Sequence, residues 1–180
     1  MAGLSRLPVT FTLSDRDVRR LRAVFRRATA RVAEQPERAI IAAARALAGE
    51  ARKFGPPAYV LERVARIDDL IAVLEDRDWD APERVRRPIL AALAYFAAPD
   101  DLIADSVPGL GFLDDAIAIE LYTRELRHEL DAYRAFARFR TRTERRTAGR
   151  NPEGMARAVA ARRKLLRARV EAREGRKRAR

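Results

Sequence analysis

The stretch AYVLERVARIDDLIAVLE at residues 58–75 decides the fold class. Its apolar side chains recur every three to four residues, which places them along one face of an α-helix. The members of this stripe are Val60, Val64, Ile67, Ile71 and Leu74. A helix with one apolar face must bury it against other elements, so this segment predicts an all-α protein with further helices packed around it.

The segments on either side of residues 58–75 carry helix-start signals. Ser14 and Asp80 are each followed three residues later by an acidic residue, a capping-box pattern that predicts helix starts there. Pro36 and Pro152 predict two more starts, because proline fits the first turn of a helix. We expect a compact bundle of five to six helices, followed by a basic C-terminal helical extension, with Trp79 at an edge of the core.

One long helix is predicted from about Asp114 to Phe139. Its stripe consists of Ile119, Tyr122, Leu126, Leu130, Tyr133 and Ala137. From Arg140 to Arg150 no side chain larger than alanine is apolar, so we place the end of the core there. This divides the chain into a helical domain, residues 1–140, and an Arg-rich helical tail, residues 141–180. The last eight residues are nearly all charged, and we expect them to be disordered when unbound.

The composition excludes several classes of protein. The 180 residues include no cysteine, which excludes a disulfide framework, a thiol nucleophile and a thiolate zinc site. The longest run without a charged residue, at positions 88–99, is shorter than the roughly 20 apolar residues that cross a bilayer. We therefore expect no transmembrane helix. No signal peptide is visible at residues 1–13, which favours a cytoplasmic location.

Residues 95–115, YFAAPDDLIADSVPGLGFLDD, have the most unusual composition in the chain. Asp101 and Asp105 lie four positions apart, and Asp114 and Asp115 begin the next predicted helix. Four carboxylates that converge would repel one another unless a hard cation such as Mg²⁺ or Ca²⁺ joined them. Alternatively, these residues cap helices or pair with arginine. Both interpretations stay open.

This same stretch resembles the YkvA-like family of small bacterial helical proteins, a domain of unknown function. The positions that match the family signature are Pro99, Asp101, Leu102, Ile103, Asp105, Pro108, Gly111, Asp114 and Asp115. Ala104 stands where the family usually has proline. The resemblance implies a helical fold and proximity to a membrane, and it carries no assigned activity.

Charge is distributed unevenly along the chain. Residues 1–133 carry a net charge of −2, whereas residues 134–180 carry +14. A basic arm on a nearly neutral body is typical of contact with polyanions. The candidate polyanion-binding side chains are Arg162, Arg163, Lys164, Arg167, Arg169 and Arg173.

Three interpretations of the arm remain open. It lies on an anionic membrane, with Met155, Val159, Leu166 and Val170 dipping into the lipid; it binds the phosphates of a nucleic acid; or it contacts a protein partner or only solvent. Under the first interpretation Leu166→Glu abolishes binding, and under the second it does not.

Catalytic signatures are sparse in this sequence. It has no P-loop, no nucleophile elbow and a single histidine. These features favour a non-enzymatic protein over an enzyme. The favoured function is a cytoplasmic adaptor or scaffold, held peripherally at the inner membrane by its basic amphipathic tail. A nucleic-acid-associated protein is the first alternative, and a metal-dependent enzyme at the Asp cluster is the second.

Overall fold

The structure is a computed structural model that describes residues 12, 14–32, 35–53, 58–97, 113–147 and 150–178. Within these ranges the chain is helical, with seven α-helices and no strand, so the predicted all-α fold is confirmed. In chain order the helices are α1 (Asp15–Val32), α2 (Glu37–Lys53), α3 (Ala58–Glu75), α4 (Glu83–Phe96), α5 (Leu113–Glu125), α6 (Arg127–Thr147) and α7 (Pro152–Arg178).

Helix α3 lies in the middle of the bundle and contacts α2, α4, α5 and α6. Four of the five predicted stripe residues are buried in the core, namely Val64, Ile67, Ile71 and Leu74. The side chain of the fifth, Val60, lies outside what the structure describes. Trp79, which follows α3, is completely buried rather than at an edge, and its ring packs against Tyr133 and Phe136 of α6. The core is therefore built around α3 and the turn that follows it.

Of the two predicted capping boxes, the one at Ser14 forms and the one at Asp80 does not. The Ser14 N–H and hydroxyl both donate to the Asp17 carboxylate, and the Asp17 N–H donates to Ser14 Oγ at 3.3 Å. At the start of α7 the Gly154 N–H donates to Asn151 Oδ1 at 2.8 Å. The Asp80 prediction is wrong: Pro82 occupies the N-cap of α4 without a side-chain hydrogen bond.

The predicted helix from Asp114 to Phe139 is divided into α5 and α6 at Leu126, which raises the helix number above the predicted five to six. The buried Thr123 hydroxyl donates to the Ile119 carbonyl one turn earlier, at 2.7 Å. Such back-bonding by threonine often bends helices, and the apolar spacing does not show the break. After the break, α6 buries Phe136 instead of the predicted Ala137.

The structure carries the fold past the predicted end of the core at residue 140. Helix α6 continues to Thr147, and α7 packs against it. Val159, Leu166 and Val170 of α7 belong to the same hydrophobic core as α3. The expected disorder from Arg173 onward is wrong as far as Arg178, where α7 ends. The division into units of residues 1–140 and 141–180 stays a prediction.

Candidate functional site

The predicted metal cluster lies largely outside the described residues. Asp101 and Asp105 fall in the gap at 98–112, together with Pro99, Leu102, Ile103, Pro108 and Gly111 of the signature. Asp114 and Asp115 lie in the first turn of α5, and the structure does not describe their side chains. Among the described residues no three potential ligands stand close enough to hold a metal ion. A Mg²⁺ or Ca²⁺ site at these aspartates stays a prediction.

The turn after α3 is organised by the carboxylate of Asp76, whose side chain is 6% exposed. It accepts the backbone N–H groups of Asp78 and Trp79 at 3.0 and 3.1 Å. It also accepts Arg140 Nη1 at 2.7 Å and the Tyr133 hydroxyl at 3.2 Å, both from α6. Four donors on one carboxylate hold the turn in a fixed conformation against α6.

Helix α7 docks on this turn through Arg163 and Arg167, and on α6 through Arg162. Arg163 Nη1 donates to the Asp78 carbonyl at 2.9 Å, and Arg167 Nη2 donates to the carbonyls of Trp79 and Asp80. The Arg167 guanidinium lies 5.4 Å from the centre of the Trp79 ring, and Arg162 lies 5.5 Å from that of Phe139. Three of the six predicted polyanion-binding side chains thus bind the protein's own fold.

The other three predicted residues, Lys164, Arg169 and Arg173, are exposed. They belong to a larger set of exposed basic side chains on α6, α7 and the turn between them, which we call the basic surface. Its members are Arg138, Arg142, Arg145, Arg146, Arg150, Arg157, Lys164, Arg169, Arg173 and Arg176. The six candidate residues named from the sequence all lie on α7, whereas the charge step at residue 134 also includes the α6 members.

The apolar stripe of α7 faces inward. Val159, Leu166 and Val170 are buried, Leu166 to 5% exposure, and Met155 is half-buried against the same core. A docked α7 therefore cannot lower this stripe into lipid. Leu166→Glu consequently does not separate lipid binding from nucleic-acid binding, because it places a charge in the core. The outer face of α7 exposes one large apolar side chain, Leu165, at 45%.

A second buried carboxylate, that of Glu129, lies on the core face of α6 and is 2% exposed. Neither of its oxygens has a hydrogen-bond partner among the described residues. The buried Trp79 Nε1 also lacks a partner among them. Burial raises the pKa of Glu129, and the nearby charges of Arg84 and Arg167 oppose this shift. The sequence signal was its position four residues before Tyr133 and seven before Phe136 on a buried helix face.

Comparison with known proteins confirms the resemblance. The family described as "Protein of unknown function (DUF1232)" matches residues 88–121, which extend from α4 into α5. The "Uncharacterized membrane protein YkvA" of Bacillus subtilis (strain 168) is 38% identical in an alignment of 63 residues, and the alignment covers 32% of this chain. The matched region covers 59% of that relative's length. No solved structure gives a significant match.

The region that the family model matches and the basic surface are different parts of the chain. The family match ends at residue 121, whereas the basic surface begins at Arg138. Within the described ranges, no helix is both long and apolar enough to cross a membrane.

Proposed function

We propose that this chain, which contains a YkvA-like region of unknown function, attaches peripherally to anionic membrane surfaces through the basic surface of α6 and α7. In this proposal the protein acts as a cytoplasmic adaptor or scaffold at the inner membrane. Its nearly neutral remainder faces away from the lipid and is available to a protein partner. Attachment is electrostatic, without insertion of the α7 stripe.

The observation that carries the proposal is the separation of charge and apolar surface on α7. Its apolar stripe is buried in the core, while five of its basic side chains remain exposed along about 28 Å of helix, namely Arg157, Lys164, Arg169, Arg173 and Arg176. Basic groups near an anionic membrane contribute about 1 kcal/mol each. Several of them acting together are enough for reversible binding without an apolar anchor.

The relative from Bacillus subtilis supports a membrane as the polyanion, because that protein is called a membrane protein. A nucleic acid is the alternative, since its phosphates attract the same arginines. The absence of any aromatic residue after Phe139 disfavours base stacking by the tail.

The test is co-sedimentation of the full chain with phosphatidylglycerol vesicles and with neutral phosphatidylcholine vesicles. The test variant replaces Arg142, Arg145, Arg169 and Arg173 by glutamine. The control variant makes the same change at Arg16, Arg19, Arg38 and Arg77, which are also exposed but lie on α1, α2 and the turn after α3. Both variants lose four positive charges, so only the position of the charge differs.

We expect the wild type and the control to pellet with anionic vesicles at low salt, and the test variant to stay in solution. Binding should fall as salt rises, because the contacts are exposed and screened. Equal loss in both variants would show that net charge alone drives binding. If RNA or DNA at equal phosphate concentration removes the wild type from vesicles, the nucleic-acid alternative replaces the membrane proposal.

A further inference from the structure

A surface cavity of about 240 Å³ opens where α3, α5 and α6 meet, at the break between α5 and α6. It is smaller than the roughly 300–1,000 Å³ of pockets for drug-sized ligands, so it suits a small ion or the head of a larger molecule. Its lining consists of Arg66, Glu120, Thr123, Arg124, Arg127, Leu130, Asp131 and Arg134. Four guanidinium groups therefore line the cavity, against two carboxylates.

Two of the four arginines are neutralised by carboxylates of the fold. Arg66 Nη1 lies 2.5 Å from Glu120 Oε2 and donates to the Thr123 hydroxyl at 3.0 Å. Arg134 Nη2 lies 2.5 Å from Asp69 Oδ2, just outside the cavity, and its Nη1 lies 3.7 Å from Asp131. These pairs hold Arg66 and Arg134 in place along two walls.

The other two arginines, Arg124 and Arg127, have no carboxylate within ion-pair distance among the described residues. Arg127 Nε donates only to the ring of its neighbour His128, at 3.4 Å. Even with Asp69 counted, positive charge exceeds negative charge around the cavity. Like charges that line one cavity repel, and an anion bound between them would relieve that repulsion.

We propose that this cavity binds a phosphoryl group, carried either by a lipid headgroup or by a small soluble phosphate ester. A phosphate monoester presents three acceptor oxygens and up to two negative charges, which matches two arginines that lack a counter-ion. A guanidinium group can donate to two oxygens of one phosphoryl group. Arg124 and Arg127 are the binding residues because they have no carboxylate partner among the described residues, and the paired Arg66 and Arg134 shape the walls.

The cavity lies at one end of a row of arginines on α6. Arg127, Arg134, Arg138 and Arg145 are separated by seven, four and seven residues, which puts them on one face of the helix. This row is about 27 Å long and joins the cavity to the basic surface. The lipid form of the inference rests on the proposed membrane attachment, and the soluble form does not.

The experiment is isothermal titration calorimetry of the full chain with inorganic phosphate at low salt. The test variant is Arg124→Gln with Arg127→Gln, both exposed positions where little loss of stability is expected. The matched control is Arg16→Gln with Arg19→Gln on α1, and circular dichroism checks that both stay helical. We expect the control to bind like the wild type and the test variant to bind about tenfold more weakly or worse.

A second arm identifies the source of the phosphoryl group. Vesicles that contain phosphatidic acid, a phosphomonoester lipid, are compared with phosphatidylglycerol vesicles of equal surface charge. If the wild type prefers phosphatidic acid and the test variant does not, the ligand is a lipid headgroup. If neither shows a preference but phosphate binding is lost in the test variant, the ligand is a soluble ester.

One result overturns the inference: the same affinity for inorganic phosphate in the wild type, the control and the test variant. This failure is distinct from failure of the proposed function. The latter would appear as absence of the wild type from the phosphatidylglycerol pellet, whatever the phosphate titration shows.

Discussion

Two buried carboxyl groups at α6 differ in their hydrogen bonding: Asp76 packs against this helix, and Glu129 belongs to it. The Asp76 carboxylate accepts two backbone N–H groups, the Arg140 guanidinium and the Tyr133 hydroxyl. Neither oxygen of Glu129 accepts a hydrogen bond within the described part of the chain. The Asp76 carboxylate is thus fully hydrogen-bonded, whereas the Glu129 carboxyl is a buried polar group without a partner among the described residues.

The pKa values of the two groups shift in opposite directions. Desolvation acts to raise the pKa of Asp76, but the hydrogen bonds from Arg140 and from the Trp79 N–H outweigh it, and the pKa falls below its usual value. For Glu129 desolvation dominates and the pKa rises, although Arg84 and Arg167 act against it and Glu171 and Glu174 reinforce it. Burial is shared by both groups, and the hydrogen-bond donors make the difference.

The missing donors at Glu129 have an identifiable cause. Arg84 lies 3.6 and 3.4 Å from Glu171 and Glu174 of α7. Arg167 donates to the carbonyls of Trp79 and Asp80. Both cations that act on Glu129 thus have other partners, although the buried Arg167 Nε has none among the described residues. The unpaired Glu129 carboxyl is a cost to folding where Asp76 is an anchor.

The largest effect is expected from Asp76→Ala. This change leaves Arg140, Tyr133 and two backbone N–H groups without their shared acceptor, and we expect the free energy of unfolding in urea to fall by about 3 kcal/mol. Asp78→Ala is the control, because Asp78 bonds the same arginine at 3.1 Å but is 60% exposed. It should cost less than about 1 kcal/mol. Equal losses of unfolding free energy in Asp76→Ala and Asp78→Ala would show that Asp76 does not anchor the turn.

The opposite sign is expected at Glu129. Glu129→Leu replaces an unpaired buried carboxyl by an apolar side chain of similar size, which should raise the free energy of unfolding at pH 7 by about 1 to 2 kcal/mol. Glu144→Leu, at an exposed position of the same helix, should change it by less than about 0.5 kcal/mol. Destabilisation by Glu129→Leu would mean that the carboxylate is bonded after all.

The pH dependence of stability separates the same two residues. Because the pKa of Glu129 is raised in the folded state, its contribution to the free energy of unfolding is full below the unfolded value of 4.5. This contribution is lost as pH rises through the folded pKa. Because that of Asp76 is lowered, its contribution is present above 3.8 and is lost as pH falls through the folded pKa.

Urea unfolding of the wild type, Glu129→Gln and Asp76→Asn across pH 3 to 8 measures both contributions. The wild type should lose stability relative to Glu129→Gln as pH rises from 4.5, with a slope of at most about 1.4 kcal/mol per pH unit. Relative to Asp76→Asn it should lose stability as pH falls below 3.8. Two difference curves with slopes of the same sign would contradict the comparison.

Periodic and local signals in the sequence were sufficient for much of the fold. The α3 stripe, the cap at Ser14 and the helix start at Pro152 depend on residues within one or two helical turns, and the structure confirms them. Asp80 has the same cap pattern but fails as a cap. Its φ of 50° follows a turn already closed by Asp76, and Pro82 occupies the cap position instead.

The site was predictable in charge but not in geometry. Arg163 and Arg167 lie on the face of α7 that contacts the turn at residues 78–80. Lys164 and Arg169 lie on the exposed face, and only the tertiary docking of α7 distinguishes the two faces. The periodicity of apolar residues alone does not point to Glu129, although Glu129 lies on the same helix face as Tyr133 and Phe136. A carboxyl inside such a stripe is itself a signal, and it indicates either a buried partner or a folding cost.

The smallest effect is expected at the hydroxyl that joins Asp76 to α6. Tyr133→Phe removes one bond of 3.2 Å from a carboxylate that keeps three other donors, so we expect the free energy of unfolding to fall by only about 0.5 to 1 kcal/mol. Desolvation, reinforced by the charge of Asp76, raises the pKa of Tyr133 to about 12. In Asp76→Asn the ultraviolet titration of this tyrosine, identified by its loss in Tyr133→Phe, should therefore move towards 10. A loss as large as that from Asp76→Ala would show that the hydroxyl rather than the carboxylate organises the turn. An unchanged titration would show that desolvation alone raises the pKa of Tyr133.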